Sequence, residues 1–210
     1  NFSLYMPRLL NDFGYPATRI GYNTLGPATE IPAARKLNAG WYTSWEVYVK
    51  PPRPGGMEFI QTIRVHQKLA CGQWFHADRT ACPYAQPLDY VFRPDTATIQ
   101  QAVQANPGAV WVIGNEIDRI DWKDGTAYTG QDEILPATYA RAYHDLYNLV
   151  KTTDPTAKVA IGGVIQATPL RLKYLTQIWD AYKSQYGVDM PVDVWNVHSF
   201  ILREKRGEYG

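Results

Sequence analysis

The sequence predicts an α/β chain built on a parallel sheet, and three observations carry that expectation. First, Trp111-Val112-Ile113 is a continuous apolar run that leads into Gly114-Asn115-Glu116. Parallel strands are buried on both faces, so they read as unbroken apolar runs rather than as alternation. Second, from residue 95 onward strand-length segments alternate with helix-length ones, the pattern of right-handed βαβ units. Third, Pro, Gly and Asn punctuate that alternation where elements should stop.

Residues 1–36 are rich in Pro, Gly, Asn and Tyr and show no sustained period. They read as an irregular N-terminal arm, leaving 37–210 as the sheet-forming domain. Residues 37–45 look like a strand running into a loop. Pro51, Pro52, Pro54, Gly55 and Gly56 then break the chain. Residues 57–65 form a second strand by β-branched and aromatic content. The stretch 66–94 reads as one long loop, a length that is uncommon unless the loop is functional or stapled.

Asp95 is placed to N-cap a helix running to about Ala105, with Asn106-Pro107-Gly108 ending it. Residues 109–115 are the apolar strand, and 117–135 a polar excursion. A helix follows over 137–151, with Tyr139, Ala142, Tyr143, Leu146 and Val150 on one face at the 3.6 period. Asp154-Pro155 stops it. Residues 158–163 are a strand. Residues 169–186 are a helix that starts at Pro169 and stops at Gly187, with Leu172, Leu175, Trp179, Tyr182 and Tyr186 expected along its buried stripe. Residues 192–198 read as a further strand.

Composition narrows the function classes. The 210 residues are 45% hydrophobic and 20% charged, enough for one sizeable core. A net charge of +1 gives no reason to expect nucleic acid or an anionic membrane surface, and no apolar stretch is long enough to predict a membrane span. No Gly-rich phosphate loop follows a strand, and Gly162-Gly163 alone is too little. No cofactor or metal is expected. Cys71, Cys82 and the intervening His76 lack a four-ligand zinc spacing. The two cysteines are read instead as a local disulfide in a secreted or cell-surface protein, against the alternative of two free thiols. Asn1-Phe2-Ser3 is formally a glycosylation sequon.

Four strand ends would open on one face of a parallel barrel, where functional side chains gather. They are Trp41 to Trp45, Gln61 to Arg64, Asn115-Glu116, and His198-Ser199-Phe200. The order of motifs is Trp41-Tyr42 with Trp45, Glu58-Phe59-Ile60, Gly114-Asn115-Glu116, then Asp193-Val194 with His198. That set resembles the glycosyl-hydrolase catalytic-core family, which includes endo-β-1,3-glucanases of the clan A (β/α)8 type. The resemblance spans about residues 38–202 and implies a TIM-barrel type of fold.

The resemblance also implies roles. Glu116 matches the general acid/base, and Asn115 the amide that hydrogen-bonds the sugar 2-OH. His198 would orient a carboxylate or bind a hydroxyl. Trp41 and Trp45 would stack on pyranose rings, with Tyr42 and Phe200 beside them, and Arg64 would contact a catalytic carboxylate. The implied partner is a β-linked polysaccharide or oligosaccharide. Trp111 and Trp195, inside strands, are expected in the core. His144 is expected at the surface, and Asp118 and Asp121 on loop backbone.

The family's nucleophile is a glutamate ending the seventh strand, and Glu204 and Glu208 read as loop residues instead. A full barrel typically takes ~250 residues, so an incomplete one is expected within 37–210. Three explanations stand: a longer enzyme, a partner chain that completes the barrel, or a non-catalytic relative that only binds sugar or serves as a scaffold.

Overall fold

A computed structural model describes residues 20–27, 39–74, 76, 78–118 and 131–200. The fold is α/β with a parallel sheet. Strands are β1 (Gly21–Asn23), β2 (Trp41–Thr43), β3 (Glu58–Gln67), β4 (Tyr90–Arg93), β5 (Val110–Asn115) and β6 (Lys158–Gly163). Helices are α1 (Thr96–Ala105), α2 (Pro136–Thr153) and α3 (Pro169–Tyr186).

The sheet order is β1-β2-β3-β5-β6, with every neighbouring pair parallel. Strand order therefore follows chain order without the reversal that marks a doubly wound sheet. The segment around Val194 and Val197 continues the series, bridging in parallel to Ala160 of β6 and to Val164 just past its end. It pairs through these two isolated bridges rather than as the continuous strand expected over 192–198. A complete eight-stranded barrel is not present among the described residues.

Two segments differ from the sequence-based expectation. The stretch read as an irregular arm contributes β1, which pairs Gly21 with Trp41. The loop read over 66–94 contains β4, which pairs antiparallel with the far end of β3 at Arg64 to Gln67. Both strands are short, so neither gives a period long enough to see. The positions 1–19, 28–38, 119–130 and 201–210, which include the sequon, Asp121, Glu204 and Glu208, lie outside the described residues.

The helices follow their local signals. The Asp95 side chain accepts from the Thr98 N–H at 3.0 Å, capping α1. Gly187 ends α3 in the left-handed region. All five residues of the α2 stripe are buried, Leu146 and Val150 each contributing roughly 1.5–3 kcal/mol. On α3 Tyr182 is buried as expected and Leu175, Trp179 and Tyr186 pack partly buried against the core, but the centre of the buried face is rotated by one residue. Arg171, Tyr174, Ile178 and Tyr182 are buried, while Leu172 is exposed. A charged residue at 171 points a hydropathy pattern the wrong way, because its guanidinium is buried against Asp118.

Trp111 lies in the core. Trp195 does not: the residue is 59% exposed, and its ring stacks on Trp179 at 5.3 Å. His144 is half-buried, bonded to the Tyr182 hydroxyl at 2.9 Å and stacked on Tyr186.

Tyr139 fixes α2 to the sheet. Its hydroxyl donates to the Ile113 carbonyl and accepts from the Gly162 N–H, both at 2.8 Å and fully buried. Burial raises its pKa, so the group stays neutral and serves both bonds. Tyr139→Phe removes one hydrogen-bond partner from each of two buried backbone groups and is expected to cost about 1–3 kcal/mol, measured by denaturant unfolding.

His66 is fully buried at the end of β3, with Nδ1 against the Gln67 carbonyl. Burial lowers its pKa from the ordinary 6.5, with Asp132 and Glu133 opposing and Arg79 reinforcing the shift. The unfolded chain then binds more protons just below that value, so stability falls as pH drops below 6.5. Unfolding measured between pH 7 and about pH 5 should show this slope, and His66→Gln should flatten it.

Candidate functional site

The C-terminal ends of β2 and β5, the middle of β3 and the segment after α3 enclose a cleft of about 720 Å³. Trp41, Trp45, Arg64, Asn115, Glu116, His198 and Phe200 all line it. The expected site residues thus converge, with one exception. Tyr42 points the other way, fully buried against Phe59 with its hydroxyl donating to the Pro52 carbonyl at 2.5 Å. Side chains alternate across a strand, so Trp41 and Thr43 face the cleft and Tyr42 the opposite layer.

Glu116 sits one residue past β5 and is nearly buried. His198 Nδ1 lies 3.1 Å from its Oε1. A carboxylate only accepts, so the imidazole Nδ1–H donates when Glu116 is ionised. His198 is held in turn by its backbone N–H on the Val164 carbonyl, and its ring meets Phe200 edge-on at 5.9 Å.

The backbone at this point is strained. Among the described residues, the non-glycine residues with positive φ are Glu116 at 49° and Trp45 at 57°, and both line the cleft. Such conformations cost roughly 1–3 kcal/mol and persist where surroundings over-determine them. Gly114 prepares the turn at φ 89°. A Cβ there would stand 2.5 Å from the Ile117 side chain. Gly21 serves Trp41 in a related way, since a Cβ on Gly21 would meet the indole at 2.0 Å. The ring therefore lies flat over the neighbouring strand.

Two buried ion pairs brace the strand end. Arg64, expected on a catalytic carboxylate, binds Asp132 through Nε at 2.9 and 3.0 Å and Nη2 at 2.5 Å. The same carboxylate accepts the backbone N–H groups of Val65 and Asn115. Burial pushes the Asp132 pKa up, opposed by Arg64 and those N–H groups. On the other side, Arg171 binds the Asp118 carboxylate and carbonyl, and Asp118 also accepts the Ile165 N–H. Burial again raises the carboxyl pKa, with Arg171 opposing. Asp118 thus bonds loop backbone as expected, and additionally joins α3 to the Glu116 loop.

Several of these residues escaped the sequence reading. Gln131 lines the cleft and accepts from the Asn115 amide Nδ2 at 2.8 Å. Asp132 and Glu133 lay inside what read as a polar excursion. The signal available was an acidic pair set directly before Ile134-Leu135-Pro136, at the entrance to a helix. Glu46, the other carboxylate lining the cleft among the described residues, is exposed and accepts from the Tyr48 hydroxyl.

Cys71 and Cys82 form a disulfide, with Cα atoms 5.5 Å apart. Among the described residues no group of three His, Cys, Asp or Glu side chains is placed to hold a metal ion, and no helix is long and apolar enough to cross a membrane. No family model, curated protein or solved structure matches the chain.

The geometry makes Gly114 a sensitive position. Gly114→Ala meets both the positive φ and the Ile117 contact, and is expected to destabilise by about 1–3 kcal/mol. A fall in Tm, with movement of the His198 ring resonances that report on Glu116, would check it.

Proposed function

We propose that this chain is a glycoside hydrolase-like protein that acts on a β-linked polysaccharide by a retaining mechanism, with Glu116 as general acid/base. The observation that carries the reading is the Glu116 carboxyl itself. It projects from a strained turn at the C-terminal end of a parallel strand into a cleft, directly follows an asparagine, and is bonded to His198. The sequential parallel order of the strands supports a (β/α)8-type barrel, of which the described residues would form an arc.

In this reading Trp41 and Trp45 offer apolar faces to the sugar rings. The Asn115 amide, oriented by Gln131, binds a ring hydroxyl beside the scissile bond. Protonated Glu116 gives its proton to the leaving glycosidic oxygen. The resulting carboxylate accepts from His198 Nδ1–H and then takes a proton from the water that releases the product. In a retaining reaction a second carboxylate about 5–5.5 Å away bonds to the anomeric carbon as the leaving oxygen departs, and the water then displaces that carboxylate.

A second reading is a binding protein with the same cleft and no turnover. It draws on Glu46, the other cleft carboxylate among the described residues, being an exposed loop residue rather than one at a strand end. An extracellular location fits either reading, since disulfides persist in oxidising compartments.

One experiment separates the two. Soluble β-1,3-glucan is incubated with wild-type protein and with Glu116→Gln, and new reducing ends are counted. The hydrolase reading expects wild-type turnover and a loss of at least about a hundredfold in the variant, with oligosaccharide affinity by calorimetry nearly unchanged. Binding without wild-type turnover establishes the second reading. Undiminished turnover in the variant removes Glu116 from the mechanism.

A further inference from the structure

The disulfide loop plays no part in the chemistry above, yet it is fastened to the wall of the cleft. Between Cys71 and Cys82, Asp78 organises a tight turn. Its carboxylate accepts the N–H groups of Thr80 and Ala81, and its carbonyl accepts the Cys82 N–H. That turn presents Arg79. The guanidinium binds both carboxylate oxygens of Glu133, Nε at 3.2 Å and Nη2 closer, while Nη1 donates to the His76 carbonyl. The Tyr84 hydroxyl donates to the same carboxylate, which is 5% exposed.

Glu133 is covalently next to Asp132, whose carboxylate holds the Asn115 N–H and the Arg64 guanidinium. One residue further back, Gln131 holds the Asn115 side chain. The backbone closes the same circuit, with Asp132 N–H on the Asn115 carbonyl and Ile134 N–H on that of Ile117. Segment 131–134 is therefore the back support of Asn115 and Glu116. Arg79 is the side chain by which the disulfide loop grips that support.

We infer that Arg79 is a positioning residue for the cleft, setting the Asn115 amide and the Glu116 carboxyl through Glu133 and segment 131–134. The inference rests on the acid/base reading for its kinetic consequence but not for its structural one. Displacing a reacting group by about 1 Å costs on the order of a hundredfold in rate, so a modest movement of this segment is enough to matter.

The test uses Arg79→Gln, Arg79→Lys and the double variant Arg79→Gln with Glu133→Gln. The double variant replaces a buried ion pair with two neutral amides and guards against simple misfolding. Each is studied well below its own Tm. The primary readout is the NMR chemical shift of the Asn115 backbone and side-chain amides. These should move in Arg79→Gln and return toward wild-type positions in Arg79→Lys, which keeps the charge. Where wild-type protein hydrolyses β-1,3-glucan, kcat per folded molecule should fall about tenfold or more in Arg79→Gln while KM changes little.

Asn115 resonances that stay in place in both Gln-containing variants overturn the inference, whatever their Tm. That outcome is independent of the acid/base reading, which stands or falls on Glu116→Gln. Displaced amides in a protein that never turns over sugar would uphold the positioning role and defeat the hydrolase.

Discussion

The carboxylate of Asp132 is the point on which the rest of the site depends. It is fully buried and receives N–H donors from three places: the Arg64 guanidinium, the Val65 backbone and the Asn115 backbone. Arg64 and Val65 lie on β3 and Asn115 ends β5, so one side chain spans two adjacent strands at the level of the cleft. A buried ion pair is weak evidence for stability, since removing both charges often costs nothing, whereas removing one is costly. Its value here is geometric. The two strand ends cannot slide past each other without breaking bonds to a buried charge.

That constraint explains how the sheet tolerates strain beside it. Glu116 adopts a left-handed backbone conformation that a glutamate ordinarily avoids. The conformation is imposed from several sides. Asp132 holds residue 115, the Tyr174 hydroxyl donates near the carbonyls of Ile117 and Ile134, and Asp118 is locked to Arg171 on α3. Trp45 is held comparably. Gln61 bonds both the N–H and carbonyl of Tyr48, and the Thr62 N–H bonds the Glu46 carbonyl, pinning the loop after β2 to β3.

Much of this was legible in the sequence, for reasons that can be stated residue by residue. The continuous apolar run ending in Gly114-Asn115-Glu116 announced a buried strand delivering polar groups. The 3.6 period of Tyr139 to Val150 placed α2 correctly, because every member of that stripe is aromatic or aliphatic. What stayed hidden were the polar groups that fold inward. Arg171 gave no signal and Asp118 read only as a partner of loop backbone, since hydropathy carries no knowledge of an ion pair between residues distant in sequence. Asp132 was invisible for the same reason: its partners, at positions 64, 65 and 115, meet it only once the sheet has assembled. Strands β1 and β4 were missed because three or four residues carry too short a pattern, and their pairing is decided by neighbours. Tyr42 was misplaced by reading a motif as a unit, whereas strand alternation sends its members to opposite faces.

These hidden groups share a distribution. Arg64 with Asp132, Arg79 with Glu133, and Arg171 with Asp118 all cluster behind residues 115–118, not through the general core. The core itself is apolar, built on side chains such as Ile63, Trp111, Ile113 and Ile161. Setting three guanidinium–carboxylate pairs in one layer, with every carboxylate buried, carries a desolvation cost that apolar packing of equal volume would avoid. A fold needing only stability would have no use for that arrangement, and the strain at Glu116 and Trp45 would relax to glycine. Both features instead surround one cleft, where they fix an amide and a carboxyl more tightly than apolar contacts could. The expense in stability and the precision in placement coincide at the same residues, which is the physical reason for reading this cleft as the working part of the molecule.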